Sequence, residues 1–163
     1  MFKKVLFLSS FFILSSFNSP LVKKFPTLEL KSLEGQNISL SQIFSKNQYT
    51  VIDLWATWCG PCKKELDALK TYYDEWKKQG VEVVAITIDD SQQINKVKPM
   101  IQQKGWKYTI LSDVNKLSQN KLGYSAIPMT YIVNKSGDIV YSHNGYTPGD
   151  ENELAEKVKE LLK

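Results

Sequence analysis

A chain of 163 residues that is 42% hydrophobic and 23% charged has the size and composition of one globular domain with short extensions, and its core needs neither a disulfide framework nor a structural metal. Its 21 basic side chains against 17 acidic ones leave a formal charge of +4, and every basic residue is lysine. Without arginine the chain lacks the bidentate reader of phosphate and guanine, and so mild a charge points to neither nucleic acid nor a membrane surface as partner.

The first segment, MFKKVLFLSSFFILSSFNSP, carries Lys3 and Lys4, then an apolar run from Val5 to Phe17, then small polar residues and Pro20. That is the layout of a secretory signal peptide, and the run falls short of the ~20 residues that a membrane span needs. We expect a leader over residues 1–19, with cuts after Ser16 and after Ser19 both compatible with its small residues, and one domain over residues 20–163. Left uncleaved, the leader would be an anchor or a buried N-terminal element. Export places the chain where disulfides persist.

Past the leader, Thr27 to Lys31 alternates like a strand, Leu33-Glu34-Gly35-Gln36 turns, and Asn37 to Leu40 pairs back as a hairpin. Ser39 or Ser41 then caps a short helix through Phe44. YTVIDLW, Tyr49 to Trp55, is apolar almost throughout, apart from Asp53, as a strand buried on both faces would be. From Pro61 to Gln79 the period turns helical: Leu66, Leu69, Tyr73 and Trp76 form one stripe, and Gly80 is a natural stop. Val81 to Ile88 is a second buried strand, so strand, helix and strand make a crossover with parallel strands.

A helix is expected over Ser91 to Lys104, capped by Ser91, stopped by Gly105 and kinked or broken by Pro99. Tyr108 to Leu111 reads as a short strand and Lys116 to Leu122 as a short helix closed by Gly123. Met129 to Asn134 and Asp138 to His143 flank Lys135-Ser136-Gly137 as a β-hairpin. Asp150 and Glu153 have capping-box spacing and open a last helix with Leu154, Val158, Leu161 and Leu162 on one face. The order predicts an α/β fold, a central sheet with helices on both faces.

The chain has two cysteines, Cys59 and Cys62, and only Gly60-Pro61 separates them. A disulfide between such neighbours closes almost no loop, so a stabilising role is the weak reading. Cys59 falls at the strand-to-helix turn, and Pro61 suits a first helical turn, where its missing N–H would be unpaired anyway. A thiol placed there faces free backbone N–H groups and the positive end of the helix dipole, which favour the thiolate. The thiolate is the species that attacks a disulfide. Cys62, one turn in and more buried, would then attack the mixed disulfide and release the reduced product. Asp53 is an acid in an apolar strand, costly without a partner, and burial should raise its pKa. Three readings of it stand: a proton acceptor for Cys62, a hydrogen-bonded structural carboxylate, or an edge residue of a strand in another register.

Asp53, Trp55, Trp58 and the run Cys59-Gly60-Pro61-Cys62, set after a buried strand, resemble the active-site segment of the thioredoxin superfamily. The exported leader, the N-terminal hairpin and the helical insert after the second strand resemble its TlpA/ResA branch of extracytoplasmic thiol–disulfide oxidoreductases, over about residues 24–163. The resemblance implies a thioredoxin-like three-layer fold with a mixed sheet, and an acid at Asp53 that serves proton transfer. It also implies a cis peptide bond at Ile127-Pro128, with Ile127 backbone groups pairing to an extended substrate and Pro128 covering the sulfurs. Trp58, Gly60, Pro61 and Ile127 would line the rim where a partner docks; simple core packing is the other reading of Trp58.

The residues and the resemblance together lead to an exported enzyme, a protein-disulfide reductase in which Cys59 attacks, Cys62 resolves and Asp53 moves the proton. The expected partners are disulfide-containing exported proteins, apocytochrome c among them by the resemblance, and a membrane dithiol electron donor. The chain is expected to be a monomer, with no cofactor and no nucleic acid. An oxidase or isomerase is the rival within the class; a copper-binding module or a redox-inactive adaptor is the rival outside it. His143 stands alone at a strand end and reads as a surface residue, and two cysteines do not supply a zinc site. Thr57 and Cys59 lack the spacing of a peroxiredoxin-like peroxidatic site.

Overall fold

The chain builds its sheet around YTVIDLW, which is buried along almost its whole length. In the computed structural model, which describes residues 23–163, this segment is β3 (Tyr49–Trp55), an interior strand of the sheet. The other strands are β1 (Glu29–Ser32), β2 (Asn37–Ser39), β4 (Val81–Thr87), β5 (Thr109–Ser112), β6 (Met129–Asn134) and β7 (Ile139–Asn144). Their order across the sheet is β2-β1-β5-β4-β3-β6-β7. β3, β4 and β5 run parallel, while β1 with β2, β6 with β3 and β7 with β6 pair antiparallel. The sheet is therefore mixed, as expected.

Alternation along β3 divides the core. Val51 and Trp55 face one side, where they meet α2 (Gly60–Lys78), Val97 of α3 (Val97–Lys104), and Leu154 and Val158 of α5 (Asp150–Leu161). Ile52 and Leu54 face the other side, against Leu40 and Phe44 of α1 (Leu40–Lys46) and Leu122 of α4 (Leu117–Leu122). The stripe Leu66, Leu69, Tyr73, Trp76 is buried along its whole length. At about 1.5–3 kcal/mol for each fully buried large apolar side chain, it holds α2 to the sheet firmly enough to position whatever sits at its N-terminus.

Two local expectations are corrected. Ser91 to Lys104 is not one helix. Asp90 Oδ1 accepts the N–H groups of Gln92 (2.9 Å) and Gln93 (3.1 Å), an aspartate turn that outcompetes the Ser91 cap. A short 3₁₀ turn, Ile94–Lys96, follows, and α3 starts at Val97. Pro99 thus stands in the first turn of a helix, where its missing N–H has no intrahelical partner to lose. Nor do Asp150 and Glu153 form a capping box. Gly149 is the N-cap of α5, Asp150 Oδ2 accepts from Thr147 N at 2.7 Å, and Glu153 Oε1 takes the Tyr141 hydroxyl at 3.3 Å.

The turn that ends α2 is sterically demanding. Gly80 has φ +78°, and a Cβ there would lie 3.3 Å from Gln48 Cγ. Gly80→Ala should destabilise the fold by about 1–2 kcal/mol, seen as a lower urea midpoint with an unchanged slope.

Candidate active site

β3 delivers the chain to the cysteines, and a buried acid holds the loop between them. Asp89, just past β4, accepts the Thr57 N–H on Oδ2 (2.9 Å) and the Thr57 hydroxyl on Oδ1 (2.8 Å). Lys63 Nζ donates to the Thr57 carbonyl at 3.0 Å. These bonds clamp the segment before Cys59 from both sides and leave Trp58, at 59% exposure, standing out of the surface. Cys59 is the N-cap of α2 with extended backbone, and its Sγ accepts from the Cys62 N–H at 3.3 Å. Gly60 opens the helix and Pro61 follows in its first turn, both exposed. The two sulfurs form a disulfide, with Cα atoms 5.4 Å apart. Cys59 retains 5% of its surface and Cys62 none. The approachable sulfur is therefore the one at the helix end.

The segment before β6 faces this pair from 68 residues away. The Ile127–Pro128 peptide bond is cis, as the resemblance implies, and the Ile127 carbonyl oxygen lies 3.9 Å from Cys59 Sγ. Pro128 is buried and Ile127 half-buried. A groove of about 360 Å³ opens beside them, lined by Trp58, Ile88, Lys116, Tyr124, Ala126 and Ile127 among others. Trp58 and Ile127 border that groove, Gly60 and Pro61 are exposed beside the disulfide, and Pro128, expected to cover the sulfurs, is buried.

Two carboxyls lie beneath. Asp53 is fully buried on the α2 side of the sheet, and neither of its oxygens has a hydrogen-bond partner among the described residues. Burial, and then the charge of Glu65, push its pKa well above the ordinary carboxylate range. Glu65 is not among the residues to which the sequence points. It lies on α2 three residues after Cys62, at 3% exposure; its Oε1 accepts the Thr130 hydroxyl at 2.7 Å, and Oε2 has no partner among the described residues. Burial pushes its pKa up to about 7, against the pull of the Thr130 bond and of His143. A signal for it exists: Glu65 sits beside Leu66 on the flank of the stripe that starts there, an acid at a helical position due for burial. Asp89 leaves no such trace, because only the fold turns it onto the Thr57 loop.

A helix-start dithiol with acids behind it can cycle between disulfide and two thiols, with protons moved locally. Among the described residues no group of three or more His, Cys, Asp or Glu side chains is arranged to hold a metal ion. Residues 21–142 match the AhpC/TSA family. The chain belongs to the AhpC/TSA family.

Among its members and neighbours, a thiol-disulfide oxidoreductase ResA from Halalkalibacterium halodurans is 29% identical over 134 residues, 82% of this chain and 72% of the relative. A thioredoxin-like protein from Porphyromonas gingivalis, known as a solution structure, is 38% identical with a TM-score of 0.73, over 85% of this chain and 91% of that one. A thiol:disulfide interchange protein from Chlorobium tepidum shares the fold at a TM-score of 0.72 and 21% identity, over 89% and 99% of the two chains. This AhpC/TSA-family chain therefore has a thioredoxin-like fold, and thiol–disulfide oxidoreduction is its chemistry.

Proposed function

We propose that the chain works outside the cytosol as a reductant of disulfides in other exported proteins. The observation that carries this reading is the placement of Cys59: at the start of α2, beside the protruding Trp58 and an Ile127 carbonyl 3.9 Å away. An extended segment of a partner can lie along Ile127 with its sulfur over Cys59. Cys59 attacks, Cys62 resolves the mixed disulfide, and Asp53 accepts the Cys62 proton. Gly60, Pro61 and Trp58 form the docking rim, and Pro128 backs the sulfurs.

The direction rests on the Gly-Pro dipeptide, which resembles reducing thioredoxins, and export rests on the leader over residues 1–19, which lies outside the described residues. Among the described residues no helix is long and apolar enough to cross a membrane. A reductant in an oxidising compartment needs electrons from a membrane dithiol carrier, and apocytochrome c cysteines are substrates of the right kind. Equilibration with glutathione tests the direction. The reduction potential should lie near the thioredoxin value of about −270 mV, with active reduction of insulin disulfides; a potential near about −120 mV would make the protein an oxidant.

A further inference from the structure

The groove beside the disulfide has an apolar floor and one charge. Ile88 and Tyr124 line it from buried positions, and the Tyr124 hydroxyl is engaged with Ser118 Oγ at 2.9 Å, which leaves its ring to the groove. Among the described residues the exposed large apolar side chains are Trp58 and Leu117. Trp58 borders the groove, and Leu117 follows Lys116, which also lines it. Lys116 is exposed and is the one charged residue of that lining. No carboxylate pairs with its ammonium among the described residues. The buried acids of the adjoining loops are engaged elsewhere: Asp89 holds Thr57, and Asp113 holds the amides of Leu117 and Ser118.

The backbone of Lys116 is a second, independent observation. Its φ of +53° and ψ of +35° lie in the left-handed region, and it is the one residue other than glycine with positive φ among the described residues. A lysine takes that conformation at a cost that glycine would avoid. Asp113 imposes it. Its carbonyl accepts the Lys116 N–H at 2.9 Å, and its carboxylate accepts the N–H groups of Leu117 at 2.8 Å and of Ser118 at 2.7 Å. A tightly bonded turn therefore fixes an unpaired cation at the groove, on backbone where a glycine would sit more easily. Strain kept at the edge of a reactive centre points to a use for the side chain.

We propose that Lys116 is a specificity-determining residue, which directs the enzyme to disulfides whose cysteine has an acidic residue close by in the chain. The proposal rests on the dithiol reading of Cys59 and Cys62, with an extended partner segment along Ile127. Residues of such a segment are ~3.3 Å apart and alternate between faces, so the second residue from the partner's cysteine shares its face and lies ~7 Å along. An Asp or Glu there meets the Lys116 ammonium. Apolar contacts of the same segment with Trp58 and Tyr124 exclude part of the water around the pair and strengthen it. A lysine in the same place is repelled, so one side chain both attracts the right segment and rejects the wrong one.

The test follows the pre-reduced protein as it reacts with peptide disulfides of one length that carry Asp, Asn or Lys at the second residue on each side of the cysteine. Each rate constant is divided by that of the same peptide with dithiothreitol, which removes the peptide's own reactivity. The Asp peptide should react about fivefold faster than the Lys peptide, with Asn between them. The ratio should fall toward one as salt is raised to about 0.5 M. Lys116→Glu should reverse the order. Lys116→Gly suits the left-handed backbone, so it should lose the preference with no fall in melting temperature, which separates the effect from unfolding. A ratio near one in the unmodified protein overturns the proposal, and so does a preference that survives in Lys116→Glu or Lys116→Gly. A protein that reduces none of the three peptides would instead refute the dithiol reading, and this proposal with it.

Discussion

Cys59→Ser should lower insulin-disulfide reduction by on the order of 10³-fold or more, to the background of uncatalysed exchange. The neighbouring change has a different outcome: Cys62→Ser should keep the attack and accumulate mixed disulfides with partner proteins. The asymmetry follows from position. Cys59 caps α2, with the Cys62 N–H aimed at its sulfur from 3.3 Å and a remnant of exposed surface. On reduction that amide and the helix dipole stabilise the thiolate, which a serine hydroxyl cannot supply at neutral pH. Cys62 is sealed and meets a partner sulfur only after Cys59 has brought it there. Turnover assays and non-reducing gels of cells carrying each variant read both effects. Adducts that accumulate with Cys59→Ser and not with Cys62→Ser would reverse the two roles.

Glu65→Gln should stabilise the oxidised protein by about 2 kcal/mol at pH 8 and destabilise it by about 1 kcal/mol at pH 4. The group ionises near 4.5 when exposed and near 7 when folded, because burial penalises the charge. A folded pKa raised above the unfolded one means that stability is lost as pH rises. Below about 4.5 both states hold the proton and there is no penalty. Between 4.5 and 7 the unfolded chain releases the proton and the folded chain keeps it, so stability falls by at most ~1.4 kcal/mol per pH unit. Above 7 the full penalty, about 3 kcal/mol, is in place. Glutamine can keep the Thr130 bond through its amide oxygen, but it leaves an amide N–H₂ where Oε2 had no partner among the described residues, which takes back about 1 kcal/mol. Urea midpoints at pH 4, 6 and 8 for both proteins measure this; a gain that is the same at all three pH values would show that the buried charge is not its source. Two carboxyls kept buried against stability are what a site that moves protons requires.

Much of this molecule is legible in the chain. Tyr49–Trp55 and Val81–Thr87 announce themselves because parallel strands buried on both faces carry few polar residues, and Asp53, their one fully buried charged residue, is for that reason a lead to the site. α2 is legible from its stripe and from the glycine that stops it. The failures lie where local signals compete. Asp90 and Ser91 both offer a side-chain oxygen to the next turn, and only the folded backbone selects Asp90. Asp150 has capping-box spacing, yet its carboxylate turns back to Thr147 and His143, because β7 sets the imidazole within reach. Glu65 shows only the weak signal of an acid on the flank of the α2 stripe, and its partner Thr130 lies on a strand far ahead in the chain.

By itself the sequence determined that a dithiol stands where a buried strand turns into a helix. Spacing, Pro61 and the apolar run before it are local, and local geometry follows from local residues. Only the tertiary structure decided what meets that dithiol. Antiparallel insertion of β6 beside β3 brings Ile127 to Cys59 across 68 residues and Thr130 to Glu65 across 65. Such pairing is a property of the whole sheet: many strands share the same apolar pattern, and which of them become neighbours is settled by how the two faces are covered.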